Sequence, residues 1–384
     1  MKKFIYLDNN ATTKTDPEVL EVMKKYYLEM YANPSSIHDF GQKVRQDLEK
    51  AREKVANFLG CSPEEIIFTS GGTEAINTAI KGIAFANMEK GKHIITSQIE
   101  HKAVLNTCKY LSERFGFEIT YLPVDKYGMV SPEDVKKSIR KDTILITIMF
   151  ANNEIGTIQP VKEISEIARE NEIYFHTDAV QAVGKVDFKI EDIGVHSLSL
   201  SGHKFYGPKG IGVLYIEKGV KFDPLLHGGG HEKGRRSGTE NVPGILGIAK
   251  AMEIFEKQGD EIRNKMKKLR DKLEKGILEK IPDTYLNGHP TQRLPNTSSI
   301  SFKGIEAESI LTLLDTEAGI CVSTGSACSS RSIEISHVLK ALNLPVEIAK
   351  GTIRFSVGKF NTEEEIDTLL DVLPDMIDRL RKFK

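Results

Sequence analysis

Short, nearly continuous apolar runs alternate along the chain with longer segments in which apolar residues recur at helical spacing. The runs are rich in β-branched residues and span residues 65–69, 93–96, 143–148, 173–175, 197–200 and 212–216. Strands that are apolar on both faces are typical of a parallel sheet covered by helices on either side. The pattern therefore predicts an α/β fold with a mostly parallel sheet. Ligands of such sheets bind beyond the carboxyl ends of the strands.

Several helix starts are marked by a capping residue before proline. Asp16, Ser62 and Ser131 each stand immediately before a proline that is followed by glutamate. A capping side chain followed by proline at the first helical position favours a helix start. Thr362 and Glu365 fit a capping box that opens the last helix.

The pattern changes after about residue 250. A long, charged, amphipathic helix is predicted over residues 255–280, and shorter strands are predicted at 298–302, 320–322 and 352–356. This change in the pattern of predicted helices and strands predicts a second, smaller domain of the α+β type.

Composition excludes some classes of function. The chain has 384 residues and a formal net charge of −1, and 40% of its residues are hydrophobic, which is enough for a sizeable core. A nearly neutral chain offers no electrostatic case for nucleic acid or membrane surfaces. The N-terminus lacks the pattern of a signal peptide, and no apolar run approaches the length of a membrane span. We therefore expect a cytoplasmic protein without nucleic-acid or membrane partners.

The cysteine spacing indicates neither a disulfide framework nor a zinc site. The four cysteines are Cys61, Cys108, Cys321 and Cys328, and no two of them show CxxC spacing. No metal site is predicted.

An acid and a lysine follow two of the predicted strands. Asp178 ends the run that begins at residue 173, and Lys204 follows the next run, 26 positions later. Pyridoxal phosphate (PLP) chemistry needs such a pair, because an amine forms a Schiff base with the aldehyde and a carboxylate pairs with the pyridinium nitrogen. The alternative is an exposed lysine and a capping aspartate on two ordinary turns.

Other polar residues at neighbouring strand ends favour the PLP interpretation. Gly72 and Thr73 open a helix after a strand, where backbone N–H groups favour a phosphate. His101 follows the strand at 93–96 and could stack on a planar cofactor. Further candidates for contacts to the ring or the phosphate are Asn153, Gln181, Ser201 and His203. Each is compatible with an ordinary turn, but together they are better explained by a cofactor pocket.

These residues lie in motifs that resemble a known family. The motifs span residues 7–13, 33–38, 69–74, 100–101, 152–156, 176–181 and 201–204. Their order and content resemble the group I (NifS/IscS-type) cysteine desulfurases, in the class V aminotransferase branch of fold-type I PLP enzymes. The resemblance runs from residue 5 to about residue 360 without a large gap.

The resemblance implies a fold and a domain division. It implies a fold-type I PLP-dependent transferase, whose large domain has a mostly parallel seven-stranded sheet and whose smaller C-terminal domain is α+β. We expect the large domain over residues 16–255. The small domain is expected to comprise residues 1–15 and 256–384, and to carry the catalytic cysteine in a loop at about 322–333.

The resemblance also implies roles for the site residues. Lys204 is then the Schiff-base lysine, Asp178 the partner of the ring nitrogen, and His101 the residue stacked on the ring. Lys204 and His101 are also candidates for proton transfer. Gly72 and Thr73 then contact the phosphate, as do Ser201 and His203. Asn153 and Gln181 contact the ring. Thr239 matches a threonine that reaches the phosphate of the neighbouring subunit, which implies a homodimer with shared active sites.

Arg354 lies inside the apolar run at 352–356. A buried arginine is costly unless it is paired, and its planar guanidinium suits a carboxylate. From the residue pattern alone, a structural ion pair remains an alternative. The resemblance implies that Arg354 anchors the α-carboxylate of the substrate, with Asn153 beside it.

Cys328 decides the expected reaction. The other three cysteines fit buried structural positions, whereas Cys328 lies in a stretch of small residues without apolar periodicity. The resemblance implies that the Cys328 thiolate attacks the sulfur of L-cysteine, which leaves a persulfide on the enzyme and releases L-alanine. The sulfur would then pass to an acceptor such as an iron–sulfur cluster scaffold. A transient contact of Cys328 with an iron–sulfur cluster is left open.

Two classes of alternative remain at this point. Another PLP enzyme of the same branch, such as a selenocysteine lyase, an aminotransferase or a kynureninase-like hydrolase, could share the pocket of Asp178 and Lys204. The other alternative is a sulfur-transfer docking protein with little activity. The sequence does not indicate which acceptor receives the sulfur.

Overall fold

The computed structural model describes residues 4–324 and 335–382. The strands in these ranges are β1 (Ile5–Tyr6), β2 (Ile66–Thr69), β3 (His93–Ser97), β4 (Glu118–Leu122), β5 (Thr143–Thr147), β6 (Tyr174–Asp178), β7 (Ser197–Ser201), β8 (Gly212–Ile216), β9 (Thr284–Asn287), β10 (Thr297–Phe302), β11 (Ile320–Cys321) and β12 (Thr352–Ser356). The α-helices are α1 (Pro17–Leu28), α2 (Asp39–Leu59), α3 (Gly72–Asn87), α4 (Lys102–Phe115), α5 (Pro132–Ser138), α6 (Val161–Glu170), α7 (Ile190–Ile193), α8 (Val242–Lys280), α9 (Ala307–Leu313), α10 (His337–Ala341), α11 (Val346–Ala349) and α12 (Glu363–Lys382).

A seven-stranded sheet forms the centre of the molecule, in the order β2-β8-β7-β6-β5-β3-β4. Every pair from β7 across to β4 is parallel, and only β8 runs in the opposite direction to the rest. All residues of β2, β3, β5, β7 and β8 are buried, because helices cover both faces. The prediction of a mostly parallel, covered seven-stranded sheet is confirmed.

In the central sheet, the strand that the apolar runs did not reveal is β4. It lies at the edge of the sheet, where it pairs only with β3, and two of its five residues are exposed. An edge strand needs fewer apolar residues than a central one, so its sequence lacks a continuous apolar run. The same reasoning applies to β9, the edge strand of a second sheet.

That second sheet is antiparallel and three-stranded, in the order β12-β10-β9, while β1 pairs in parallel with β11. Helices α8, α9 and α11 contact the second sheet, and α12 packs against α8 and α9. The predicted strands at 298–302, 320–322 and 352–356 correspond to β10, β11 and β12 within one residue at either end.

Helix α8 begins 13 residues before the predicted start at residue 255. Its first half carries mostly buried apolar side chains and packs against α1 and α2, whereas the charged, amphipathic pattern covers only its second half. The expected domain boundary at 255/256 falls inside this continuous helix. The division into residues 16–255 and the remainder stays a prediction.

The capping residues behave largely as predicted. Side-chain oxygens of Asp16, Ser131 and Thr362 accept hydrogen bonds from backbone N–H groups in the first turns of α1, α5 and α12. Ser62 opens only a three-residue 3₁₀ turn, Pro63–Glu65, because β2 begins directly after it. Among the described helices, none is both long and apolar enough to cross a membrane.

Candidate active site

A cavity of about 760 Å³ lies at the carboxyl ends of the parallel strands. The start of α3 and the residues that follow β3, β5, β6 and β7 contribute to its wall, and β12 contributes from the second sheet. Ten of the twelve predicted site residues line this cavity. They are Gly72, Thr73, His101, Asn153, Asp178, Gln181, Ser201, His203, Lys204 and Arg354.

Lys204 and Asp178 lie at the ends of two neighbouring parallel strands. Lys204 closes the short turn after β7, and its Nζ donates hydrogen bonds to the carbonyl oxygens of Asn10 and Ala11, each at 2.7 Å. Asp178 is the last residue of β6, and its Oδ1 accepts a hydrogen bond from the Val180 N–H at 2.9 Å. Burial raises the pKa of Asp178, although the nearby His101 and Lys204 act against this. A cationic ring nitrogen would stabilise this buried carboxylate.

The start of α3 provides a site for an anion. Gly72 is its first residue, and a Cβ there would lie 2.7 Å from Val180 Cγ2, so the close approach requires glycine. The first N–H groups of a helix have no partner inside the helix and bind phosphate readily. Ser201, and His203 on the turn after it, line the same cavity. Burial lowers the pKa of His203 to about 4, so its imidazole is neutral at pH 7.

His101 caps α4 with its ring. Its Nδ1 accepts a hydrogen bond from the Ala103 N–H at 3.1 Å, so the proton of the neutral ring sits on Nε2. Burial lowers the pKa of His101, and the neighbouring cations Lys204 and Lys102 lower it further. A neutral, largely buried imidazole suits both stacking on an aromatic ring and proton transfer.

Arg354 is 3% exposed and is held on two sides. Its Nη2 lies 2.6 Å from Asp8 Oδ1, and its Nη1 donates to the Asn153 carbonyl oxygen at 3.0 Å. The buried Nε atom has no hydrogen-bond partner among the described residues. Arg354 therefore takes part in an ion pair and also lines the cavity, so its predicted role toward a substrate carboxylate stays a prediction.

Asn10 connects several of the predicted residues but was given no role from the sequence. Its carbonyl oxygen accepts hydrogen bonds from Lys204 Nζ and from Gln181 Nε2, the latter at 3.0 Å. Its Nδ2 donates to the Asn153 carbonyl oxygen at 3.2 Å. Asn10 lies inside the motif at residues 7–13, which was a signal that the site extends to this segment.

Three further residues, Glu154, His337 and Lys185, were given no role from the sequence, although Glu154 lies inside the motif at residues 152–156. Glu154 and His337 line the cavity. Ser336 donates a hydrogen bond to Glu154 Oε2 at 2.5 Å, and His337 Nε2 donates to the Glu100 carbonyl oxygen at 2.9 Å. Lys185 is buried behind Gln181. The contacts of these residues arise only from the tertiary fold.

One predicted residue, among those that the structure describes, is not in the wall of this cavity. Thr239 is exposed and does not line the cavity formed by the described residues of its own chain. The segment that precedes it is held by Glu232, whose two carboxylate oxygens lie 2.7 and 2.8 Å from guanidinium nitrogens of the buried Arg52. Cys328 lies outside the described residues.

Comparison with known proteins agrees with this geometry. Residues 5–369 match the family model described as "Aminotransferase class-V". The chain is 58% identical to "Cysteine desulfurase IscS" of Methanosarcina thermophila, over 99% of this chain and 94% of the relative. A solved "NIFS-LIKE PROTEIN" superposes with a TM-score of 0.92 at 46% identity, covering 98% of this chain and all of the other.

A further solved structure, "SspA in complex with cysteine", has a TM-score of 0.80 at 38% identity and covers 93% of this chain and all of the other. The matches extend over nearly the whole chain, and the predicted fold-type I architecture is confirmed by them. The chain therefore belongs to the class V aminotransferase family and, within it, to the NifS- and IscS-type cysteine desulfurases.

Proposed function

We propose that this protein removes sulfur from L-cysteine, releases L-alanine and takes up the sulfur as a persulfide on Cys328. The observation that carries the proposal is the convergence of Lys204, Asp178 and Arg354 on one cavity. Their functional groups match the three that the reaction needs: an amine, a buried carboxylate and a cation for the substrate carboxylate. The relatives named cysteine desulfurase share this chain over nearly its full length.

The residues of the cavity fit PLP, the cofactor of this family. Lys204 would supply the amine for the aldehyde, Asp178 would pair with the ring nitrogen, and His101 would stack on the ring. The phosphate would bind to the N–H groups at the start of α3, where Gly72 and Thr73 line the cavity. Once bound, PLP withdraws electrons from the α-carbon of an amino acid and makes its proton removable.

The chain itself would then bind, orient and move protons. Arg354 binds the α-carboxylate of L-cysteine through its guanidinium, and Asn153 lies beside it. Lys204 Nζ and His101 Nε2 are the groups that take and return protons at the substrate carbons. Burial lowers the pKa of His101, and an imidazole and an amine are both groups that transfer protons in catalysis.

Cys328 takes up the sulfur in this proposal. The protein thiolate attacks the sulfur of the substrate, an S–S bond forms, and the C–S bond breaks with its electron pair left on carbon. That carbon takes up one proton and ends as the methyl group of alanine. In sum, L-cysteine and a protein thiol give L-alanine and a protein persulfide, so no external oxidant is needed.

The assembly and the sulfur acceptor belong to the same proposal. Thr239 is exposed and away from the cavity of its own chain, which is what a contact with the partner subunit's phosphate site requires. We therefore propose a homodimer with shared active sites. We further propose that it acts in the cytoplasm and passes sulfur to an acceptor such as an iron–sulfur cluster scaffold.

The test compares wild type with Lys204→Ala, and uses Lys218→Ala, an exposed lysine, as the matched control. We expect wild type and Lys218→Ala to show the visible absorbance of bound PLP and to form alanine from L-cysteine. Lys204→Ala should lose both. Alanine formation by Lys204→Ala at the wild-type rate would contradict the proposal.

A further inference from the structure

Lys185 is a buried lysine that the proposed reaction does not use. It is 5% exposed, and among the described residues no carboxylate lies within 4.0 Å of its Nζ. Burial lowers the pKa of Lys185 well below its usual range, and the nearby Lys204 and Arg354 lower it further. Because burying an amine without a carboxylate costs free energy, its contacts need an explanation.

The contacts of Lys185 are with two amide side chains. Its Nζ lies 2.5 Å from Gln181 Oε1 and 3.3 Å from Asn10 Oδ1. The second of these oxygens also accepts a hydrogen bond from Asn296 Nδ2 at 3.0 Å. Lys185 thus donates to both amides and is not itself among the residues that line the cavity.

These contacts determine the positions of the oxygen and the nitrogen of the Gln181 amide. The orientation of a glutamine amide is decided by its hydrogen-bond partners. Gln181 Nε2 lies 3.0 Å from the Asn10 carbonyl oxygen, which can only accept, while Oε1 is occupied by the amine of Lys185. The second N–H of Gln181 Nε2 has no hydrogen-bond partner among the residues that the structure describes, and Gln181 lines the cavity.

The same network reaches the reactive amine. The Asn10 carbonyl oxygen that accepts from Gln181 also accepts from Lys204 Nζ at 2.7 Å. A continuous chain of hydrogen bonds therefore joins Lys185, Gln181, Asn10 and Lys204. Release of one amide from its orientation would disturb the next contact along this chain.

We infer that Lys185 is a positioning residue, which holds the Gln181 amide so that an N–H group, and not the carbonyl oxygen, faces the cofactor ring. The inference rests on the proposed function, since it requires PLP in this cavity. A donor in this place stabilises a deprotonated ring oxygen, whereas a rotated amide would oppose it with a carbonyl oxygen.

The test uses two variants. Lys185→Met removes the hydrogen-bond donor and keeps an apolar side chain of similar length, whereas Lys185→Gln keeps a donor. The matched control is Lys218→Met on the surface. The readouts are the Kd for PLP added to the apoprotein, the pH midpoint of the visible absorbance of the bound cofactor, and the melting temperature of the apoprotein.

For Lys185→Met we expect a Kd about tenfold higher and a pH midpoint about one unit higher, as for one lost hydrogen bond to a charged group. The melting temperature of the apoprotein should not fall, because the variant no longer buries an amine that has no carboxylate beside it. Lys185→Gln should recover part of the affinity. Adding Gln181→Leu to Lys185→Met should raise the Kd for PLP little beyond the value for Lys185→Met alone, since the two residues act as a unit.

The inference is overturned by an unchanged Kd and pH midpoint in Lys185→Met, by equal losses in Lys185→Met and Lys185→Gln, or by additive effects of Lys185→Met and Gln181→Leu. Failure of the wild type to bind PLP would be a different result. It would contradict the proposed function itself, and the two failures are therefore distinguishable.

Discussion

The guanidinium of buried Arg354 and the carboxylate of partly exposed Asp8 form an ion pair, with 2.6 Å between Nη2 and Oδ1. The pair connects β12 to the segment that follows β1, and the Asn153 carbonyl oxygen holds the guanidinium from another side. Fixing the planar group in this way leaves less conformational freedom to be lost when a carboxylate binds. We interpret Asp8 as a residue that orients Arg354 toward the cavity.

Replacement of Arg354 by glutamine should raise the KM for L-cysteine by about 10- to 100-fold, the effect of losing a hydrogen bond to a charged group. The affinity for PLP should change little. Steady-state kinetics and a PLP titration measure the two effects. Asp8→Asn should also raise the KM, but by less, because it loosens the guanidinium without removing it. If Arg354→Gln lowers the melting temperature and leaves the KM unchanged, the arginine is only structural.

Strand β6 carries a buried histidine two residues before Asp178. His176 lies between hydroxyls of neighbouring strands, with Thr147 Oγ1 2.9 Å from its Nδ1 and Ser199 Oγ 2.9 Å from its Nε2. Burial lowers the pKa of His176 to about 3. The folded protein keeps the ring neutral at pH values where the unfolded chain takes up a proton.

The contribution of His176 to stability is therefore complete above about pH 6.5 and is lost as the pH falls toward 3. This loss amounts to about 1.4 kcal/mol per pH unit for one group. His176→Gln should reduce the slope of the unfolding free energy against pH between 4 and 6, as measured by chemical denaturation. His227→Gln, at an exposed position, serves as control. Equal slopes in wild type and His176→Gln would refute this assignment.

Glu100 shows the opposite dependence on pH. Its Oε1 accepts hydrogen bonds from Ser97 and from the Met149 N–H, but its buried Oε2 has no partner among the described residues. Burial raises the pKa of Glu100 to about 8, so the folded protein keeps a proton that the unfolded chain releases above about pH 4.5. The stability that this group contributes is present below pH 4.5 and is lost as the pH rises to about 8.

Glu100→Gln cannot ionise, so it should gain stability relative to wild type as the pH rises from 5 to 8. Melting temperatures across this range measure the difference between the two proteins. Glu89→Gln, at an exposed position, should keep a constant difference from wild type. A Glu100→Gln difference that is also constant across the range would show that the carboxyl does not titrate as described.

The part of the site that lies on parallel strands could be predicted from the sequence. Asp178 and Lys204 follow apolar runs, and strand ends meet at one edge of a parallel sheet, so their proximity follows from the pattern. Lys185 could not be assigned, because a lysine in a turn is usually exposed, and only the tertiary packing buries it. Asn10 reaches the site from a distant part of the chain through backbone contacts that no periodicity encodes.

The fold shows the same division. Fully buried strands, including the edge strand β2, were recognisable because burial on both faces demands continuous apolar runs. The edge strands β4 and β9 are only partly buried and were missed. The first 13 residues of α8 were missed because most of their side chains are buried and they lack the charged face that marked the rest of the helix.

The central claim is that sulfur leaves L-cysteine through Cys328. The most direct test measures alanine and protein-bound persulfide formed from L-cysteine, with PLP and a thiol reductant, by wild type and Cys328→Ser. Cys61→Ser is the matched control, since burial raises the pKa of Cys61 to about 12 and makes it a poor nucleophile.

Wild type and Cys61→Ser should form alanine and carry persulfide, while Cys328→Ser should form neither above background and still bind PLP. Alanine formed by Cys328→Ser at the wild-type rate would contradict the account and indicate a lyase that needs no cysteine nucleophile.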